Sequence, residues 1–138
     1  MNPYCHSIQY YETDKMGITH HSNYIRFMEE ARMYFLASLG YPMTRLEAEG
    51  ITSPVVSVAC EYKHPTTYGD TVAVAVTAVR YTGVTLSLSY VMTNADTGTV
   101  VAEAASTHCF INESGRPIAV KKHAPALDAL LRQQSTAR

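Results

Sequence analysis

The clearest pattern in the chain is a helical one, between residues 22 and 40. Apolar side chains recur there at spacings of three and four residues, which is typical of a helix with one broad apolar stripe. Ser22 or Asn23 is suitably placed to cap the start of this helix, and Gly40 to end it. The apolar positions are Tyr24, Phe27, Met28, Ala31, Tyr34, Phe35 and Leu39.

After residue 50 the pattern changes to the alternation of β-strands. Segments 53–63, 71–81, 84–94 and 99–111 are rich in Val, Thr and Tyr and are separated by turn residues, so we predict four strands. Val84, Leu86, Leu88 and Tyr90 should share one face. Because the connections are short, neighbouring strands should pair antiparallel.

Three weaker patterns complete the prediction. Residues 5–11 alternate loosely and indicate a first strand, whereas residues 42–49 and 126–133 indicate short helices. The order of these elements predicts an α+β fold in which an antiparallel sheet wraps around one long helix. With 138 residues, the chain should form a single domain spanning residues 1–138.

Composition narrows the classes of function. The chain is 46% hydrophobic with a formal charge of −1, which favours a folded, soluble protein that neither inserts into membranes nor binds nucleic acid. The N-terminus has no basic region followed by an apolar one, so we expect a cytoplasmic location. Cys5, Cys60 and Cys109 are widely spaced and should be reduced, mostly buried thiols.

The segment YYETDKMGITHHSNY, residues 10–24, lies directly before the long helix. Together with FMEEAR at residues 27–32 and Tyr68-Gly69-Asp70, it resembles the signature of the 4-hydroxybenzoyl-CoA thioesterase family, including the acyl-CoA thioesterases associated with the Tol-Pal system. This resemblance implies the hotdog fold, acyl-CoA substrates, no cofactor, and assembly into a homodimer or homotetramer.

Thioester hydrolysis needs a base or nucleophile at the carbonyl carbon and a donor for the developing oxyanion. Asp14 can supply the first, either by activating water or by direct attack. Gly17 permits a sharp turn, and the free backbone N–H groups around His21 to Asn23 can form the oxyanion hole. The resemblance assigns that role to the His21 amide, while the His21 imidazole would orient water or contact substrate.

Several other side chains are candidates for substrate contacts. Of Tyr10 and Tyr11, one ring should pack in the core while the other, taken as Tyr11, lines the acyl pocket. Surface cations suit the phosphates of coenzyme A. The predicted substrate-binding residues are Tyr11, Gly17, Asn23, Tyr24, Arg80, Lys121 and Lys122, with Arg116 as a further phosphate contact.

The two histidines, with Glu12 or Asp14, raise the alternative of a metal site. Adjacent residues at a helix start should point in different directions, and the spacing lacks the regularity of zinc sites, so no metal is expected. Glu29 and Glu30 lie on the helix, where some hotdog enzymes place their carboxylate. Arg26 precedes Glu30 by four residues, and a surface ion pair is the favoured interpretation.

The sequence therefore predicts an acyl-CoA thioesterase acting on small aromatic or short- to medium-chain acyl groups. Two alternatives stay open. One is a non-catalytic protein that binds acyl-CoA or an acyl carrier, since a fold does not fix a function. The other is a hotdog dehydratase of hydroxyacyl thioesters, in which Glu30 on the helix would face a histidine across a dimer.

Overall fold

The computed structural model describes residues 2–136. Its strands form one antiparallel sheet in the order β1-β3-β4-β5-β2, so β1 and β2 are the edges. The strands are β1 (Tyr4–Ser7), β2 (Val55–Tyr62), β3 (Thr71–Tyr81), β4 (Thr85–Asn94) and β5 (Val100–Cys109), and the helices are α1 (Ser22–Ser38), α2 (Met43–Ala48), α3 (Val120–His123) and α4 (Pro125–Gln134).

The long helix α1 packs on the sheet and forms the centre of the core. Its Phe27, Ala31 and Phe35 are buried, as is the alternating row on β4. That row consists of Leu86, Leu88, Tyr90 and Met92. The α+β hotdog arrangement predicted from the sequence is thus confirmed. Among residues 2–136, no helix is both long enough and apolar enough to cross a membrane.

The predicted first strand is wrong beyond Ser7. The backbone N–H of Ile8 donates to Asp70 O at 2.8 Å, and a 3-10 turn follows at Tyr10–Glu12. Tyr10 and Tyr11 are 76% and 80% exposed, so neither ring packs in the core. The turn forms because the Glu12 carboxylate accepts a hydrogen bond from the Gln9 N–H at 2.8 Å, a contact that an alternation pattern does not show.

The ends of α1 follow the sequence prediction only in part. His21 occupies the N-cap position and no side chain caps the helix, so the predicted capping by Ser22 or Asn23 is wrong. Gly40 follows the C-cap residue and has a φ of 85°, a conformation that glycine adopts without strain. The buried face of β4 is shorter than predicted. Val84 was expected to share this face with Leu86, Leu88 and Tyr90, but it lies before β4 and is 40% exposed.

The cysteines are more exposed than predicted. Cys5 is exposed, whereas Cys60 and Cys109 are half-buried, and all are free thiols. Cys5 lies on the exposed face of the edge strand β1, where half-buried and exposed positions alternate. The expectation of mostly buried thiols is therefore wrong. Partial burial raises the pKa of the Cys60 thiol.

A chain of hydrogen-bonded polar side chains lies inside the core. The Tyr90 hydroxyl is 2.6 Å from Ser106 Oγ, which is 2.7 Å from His108 Nε2. His108 is 1% exposed. Burial, and secondarily the nearby Arg32 guanidinium, lower the pKa of His108 to about 4. The imidazole is therefore neutral in the folded protein at neutral pH.

This neutral histidine makes stability depend on pH. Its pKa is about 4 in the folded chain, against about 6.5 when unfolded, so its contribution is complete above pH 6.5 and is lost as pH falls toward 4. Between pH 7 and pH 5 we expect a loss of about 2 kcal/mol in the free energy of unfolding from this group. Urea denaturation at both pH values should show that His108→Gln lacks this loss. The exposed His123→Gln should retain it, and equal pH slopes in all proteins would contradict the assignment.

Candidate active site

Asp14 opens a tight turn that ends at Gly17. The Gly17 N–H donates to Asp14 O at 3.0 Å, and the Asp14 N–H donates to Ile18 O at 2.9 Å. Gly17 has a φ of 80°, which explains why glycine suits this position. Asp14 Oδ1 accepts from the Met16 N–H at 2.8 Å, whereas Oδ2 has no hydrogen-bond partner among the described residues. The half-buried carboxylate is thus oriented by one oxygen and keeps the other available.

The loop that carries Asp14 is joined to the start of α1 through Glu12 and Asn23. The Glu12 carbonyl accepts from the His20 N–H at 2.8 Å and from Asn23 Nδ2 at 2.9 Å. Asn23 Nδ2 also lies 3.2 Å from His20 O, and the residue is buried. Asn23 therefore holds the loop against the helix and does not line the cleft described below, contrary to its predicted role in binding substrate.

Glu12, the second carboxylate of the motif, is structural. Its Oε1 accepts from the Gln9 N–H and lies 2.8 Å from His6 Nε2 on β1. The His6 ring packs on Phe27 of α1 with centroids 4.3 Å apart. Because Glu12 is buried among these partners, it fixes the loop to the core and leaves Asp14 as the motif's carboxylate at the cleft.

An open cleft of about 320 Å³ lies beside this loop. One wall carries Asp14 and His21, and the other consists of residues at and after the end of β2. The Tyr24 and Tyr62 rings meet edge to face within it, 5.2 Å apart. The lining residues are Asp14, Met16, Ile18, Thr19, His21, Tyr24, Tyr62, Lys63, His64 and Pro65.

The start of α1 faces this cleft through His21. The backbone N–H of His21 donates no hydrogen bond among the described residues, whereas its carbonyl accepts from the Tyr62 hydroxyl at 3.1 Å. Free N–H groups at a helix start, with the positive end of the helix dipole, favour an oxygen that gains negative charge. Of the amides predicted to be free around His21 to Asn23, those of Ser22 and Asn23 donate to His20, at 3.2 Å to Nδ1 and 3.0 Å to the carbonyl oxygen. Only the His21 amide is therefore free, and His21 lines the cleft together with Asp14.

The two histidines stack on each other instead of diverging. Their ring centroids are 4.2 Å apart with planes 29° from parallel, so the expectation of different directions is wrong. His20 Nδ1 lies 2.9 Å from Ser22 Oγ, and the stacked ring of His21 lines the cleft. Within residues 2–136, no group of three or more His, Cys, Asp or Glu is placed to hold a metal ion.

Several predicted substrate contacts do not reach the cleft within one chain. Tyr11 is exposed and lies outside it. The Thr71 end of β3 follows Thr67, which pairs with the cleft residue Ile18. Arg80 lies nine residues further along β3, about 30 Å from Thr71 at the rise of a strand. Lys121 and Lys122 belong to α3, whose Val120 N–H donates to Gly83 O beyond that far end of β3. Arg80, Lys121 and Lys122 are therefore not part of the cleft lining.

The far wall of the cleft was missed by sequence reasoning. Lys63 is the one Lys or Arg among the lining residues, and its Nζ lies 2.9 Å from Glu61 Oε2. His64 and Pro65 extend the same wall. The only signal was the run Lys63-His64-Pro65 at the end of a predicted strand, a position that commonly carries functional side chains.

The helix glutamates do not take part in this cleft. Glu30 Oε2 accepts from the Tyr4 hydroxyl and lies 3.5 Å from His6 Nδ1. The predicted ion pair between Arg26 and Glu30 does not form in the described chain. The side of α1 that carries Glu30 faces the edge strand β1. Glu30 therefore contacts Tyr4 and His6 on that strand, and not Arg26 on its own helix.

Comparison with known proteins identifies the family of this chain. The model of the family described as "Thioesterase-like superfamily" matches residues 8–134. The Bacillus subtilis protein "Putative acyl-CoA thioesterase YneP" is 36% identical over 119 residues, covering 86% of each chain. The DHNA-CoA thioesterase from Staphylococcus aureus has a TM-score of 0.90 at 26% identity, over 96% of this chain and 89% of that one.

A further structure supports the fold alone. The protein SAV2348 from Staphylococcus aureus, in complex with CoA, has a TM-score of 0.82 at 19% identity, over 100% of this chain and 90% of that one. The family match spans nearly the whole described chain, and the Asp14 loop and α1 lie within it. The chain therefore belongs to the thioesterase-like superfamily and is a hotdog-fold thioester hydrolase.

Proposed function

We propose that this chain hydrolyses the thioester of a coenzyme A ester with a small aromatic or short- to medium-chain acyl group. The observation that carries the proposal is a cleft lined by both Asp14, whose Oδ2 is unbonded, and His21, whose backbone N–H donates no hydrogen bond among the described residues. We further propose that the chain forms a single domain, that it acts in the cytoplasm, and that the reaction needs no cofactor.

In this reaction the thioester carbonyl oxygen accepts a hydrogen bond from the His21 N–H, so negative charge develops at the positive end of α1. Asp14 then either takes a proton from an attacking water or attacks the carbonyl carbon itself. In the first route the intermediate expels the thiolate, which takes up the proton held by Asp14. In the second route the acyl group passes to Asp14 as a mixed anhydride, and water then hydrolyses this anhydride. Both routes release the free acid and coenzyme A as a thiol. The Met16 N–H orients the carboxylate through Oδ1 and leaves Oδ2 for either role.

The coenzyme A arm is proposed to leave the cleft past Lys63. This ammonium group is partly neutralised by Glu61 at 2.9 Å, so it offers less charge than an unpaired lysine. Arg80, Arg116, Lys121 and Lys122 remain candidates for the phosphates from a neighbouring subunit, because phosphates favour several cations. The complex of SAV2348 with CoA is an example of a protein of this fold that binds coenzyme A.

A homodimer formed through β2 is part of the proposal, with a homotetramer as a pair of such dimers. β2 is an edge strand and pairs only with β5 in the described chain. Its Val55, Val56, Val58 and Tyr62 are all at least 44% exposed. A long apolar edge invites pairing with a second copy, which removes the unpaired backbone groups.

Charging this edge should weaken the dimer. We expect Val56→Lys to raise the dimer dissociation constant by about tenfold or more, because it places an ammonium group on each of the two paired β2 edges, where burial of a charge is costly and like charges repel. Analytical ultracentrifugation over a range of concentrations measures the change. Val84→Lys, in the turn before β4, should leave the dissociation constant unchanged, and an equal effect of both substitutions would contradict pairing through β2.

A panel of aromatic and aliphatic acyl-CoA esters tests the proposed activity. Release of free thiol, followed with a colorimetric thiol reagent, should identify at least one hydrolysed ester. Saturable binding of the esters with no thiol release from any would support the non-catalytic alternative. Glu30 is bonded to Tyr4 and lies near His6, outside the cleft lining, which gives no support to the dehydratase alternative.

A further inference from the structure

A second, smaller cavity of about 90 Å³ lies further along the groove between α1 and β2. The two elements run in opposite directions, because the Tyr62 hydroxyl donates to His21 O at one end and Arg32 Nη1 donates to Ser53 O at the other. The cleft occupies the first end and this second cavity the other. Its lining consists of Ile25, Met28, Glu29, Arg32, Val55, Val58, Tyr90, Ser106 and His108.

Arg32 places an unpaired positive charge in the wall of this second cavity. The residue is only 5% exposed, and its one hydrogen bond in the described chain is from Nη1 to Ser53 O at 3.2 Å. No carboxylate of the described residues lies within ion-pair distance. A guanidinium has five N–H donors and matches a carboxylate with two of them, so a buried arginine without such a partner is costly.

His108 adds a buried nitrogen without a hydrogen-bond partner at the same place. This atom is Nδ1, whereas Nε2 lies 2.7 Å from Ser106 Oγ. When the Ser106 hydroxyl donates to Nε2, the proton of the neutral ring lies on Nδ1, which is then a donor. Arg32 and His108 thus offer N–H groups without acceptors, and both line the second cavity.

Glu29 is the one acidic side chain in the lining. It is exposed, and no ion pair joins it to Arg32 in the described chain. Its carboxylate lowers the positive potential of the second cavity without satisfying the Arg32 donors. Removal of this charge should therefore strengthen the binding of an anion in the second cavity.

We propose that the second cavity binds a carboxylate at the far end of the acyl group, so that the preferred substrates are CoA monoesters of dicarboxylic acids. This rests on the proposed thioesterase function. Residues 28 to 32 of α1 lie about 10 to 16 Å along the helix from His21 at the usual rise. An extended acyl chain with its carbonyl at the His21 amide would follow Ile25 and Met28 to reach Arg32.

The test compares matched pairs of CoA esters that differ only at the far end: adipoyl with hexanoyl, suberoyl with octanoyl, and sebacoyl with decanoyl. In the natural chain we expect kcat/KM for the carboxylated ester of at least one pair to exceed that of its partner by about tenfold or more. The reason is that the carboxylate accepts charged hydrogen bonds from Arg32 donors that otherwise have no acceptor in the described chain. Arg32→Met should lower this preference by about 10- to 100-fold, mainly through KM. Glu29→Gln should increase it.

Arg26→Met is the matched control, since Arg26 lies exposed on the same helix and should leave the preference unchanged. If Arg32→Met fails to fold, the equilibrium affinities of the natural chain for suberoyl-CoA and octanoyl-CoA still test whether the second cavity prefers the carboxylated ester. Equal affinities and equal kcat/KM within every pair would overturn the proposal. If no ester is hydrolysed, the thioesterase function fails, whereas tighter binding of the carboxylated members would still support the second cavity.

Discussion

Asp14→Asn is expected to lower kcat for every accepted CoA ester by about 10²- to 10⁴-fold, the range lost with a positioned acid or base. An amide neither takes a proton from water at neutral pH nor attacks a thioester. The His21 amide would remain to hold the oxyanion, so hydrolysis should stay above the rate in water alone. Steady-state thiol release with the best ester of the panel measures the effect.

The structure indicates that this substitution is local. Asp14 Oδ1 accepts from the Met16 N–H at 2.8 Å, and the side-chain oxygen of asparagine can accept the same bond. The backbone bonds from Gly17 to Asp14 O and from Asp14 to Ile18 O do not involve the side chain. The turn should therefore persist, with KM and the thermal unfolding midpoint close to those of the natural chain.

Asp96→Asn is the matched control. Asp96 lies exposed in the turn between β4 and β5, and the same chemical change there should leave kcat unaltered. Near-normal turnover of all accepted esters by Asp14→Asn would refute the assigned mechanism. A fall in kcat accompanied by loss of folding would instead place Asp14 among the residues that stabilise the turn.

The long elements were predictable because their side-chain spacing reflects which face is buried. The period of α1 and the alternation of Leu86, Leu88 and Tyr90 both survive in the structure. The 3-10 turn did not follow from spacing, because it depends on Ile8 reaching Asp70 and on the Gln9 contact with Glu12. The spacing of apolar residues was thus enough to identify the core faces of the long elements. The conformation of the short segments depends on contacts between residues that are distant in sequence.

The candidate site was predictable on one wall only. Asp14 and His21 are close in sequence, so a motif could bring them together. Lys63 and His64 line the same cleft although they lie 42 to 50 residues later in the sequence than His21 and Asp14. Strand pairing brings such distant segments together, and composition does not reveal it. Arg32 on α1 and His108 on β5 likewise line one cavity although they are far apart in sequence.

The second large effect that we expect concerns Phe27. Phe27→Ala should lower the free energy of unfolding by about 3–5 kcal/mol, the cost of removing a large ring from a close-packed core. The ring is 0% exposed, with the His6 centroid 4.3 Å away and the Tyr24 centroid 5.4 Å away. Since small domains are stable by about 5–15 kcal/mol, this is a large share of the total.

Urea denaturation at fixed protein concentration measures the loss. Tyr34→Ala is the control, because it removes a ring from the same helix that is 37% exposed. The control should cost no more than about 1–2 kcal/mol. Phe27→Leu keeps most of the buried volume and should cost less than about 1.5 kcal/mol. Equal losses for Phe27→Ala and Tyr34→Ala would show that the core does not depend on this ring.

The Phe27 substitution should also reach the active site. Phe27 supports His6, which lies 2.8 Å from the Glu12 carboxylate, and the Glu12 carbonyl ties the Asp14 loop to His20 and Asn23. A cavity beneath His6 would loosen this connection. We therefore expect Phe27→Ala to lower kcat even at temperatures well below its unfolding midpoint. Tyr34→Ala should change kcat much less, because the Tyr34 ring contacts Tyr4, with centroids 5.9 Å apart, and reaches His6 only indirectly through Tyr4 and Glu30.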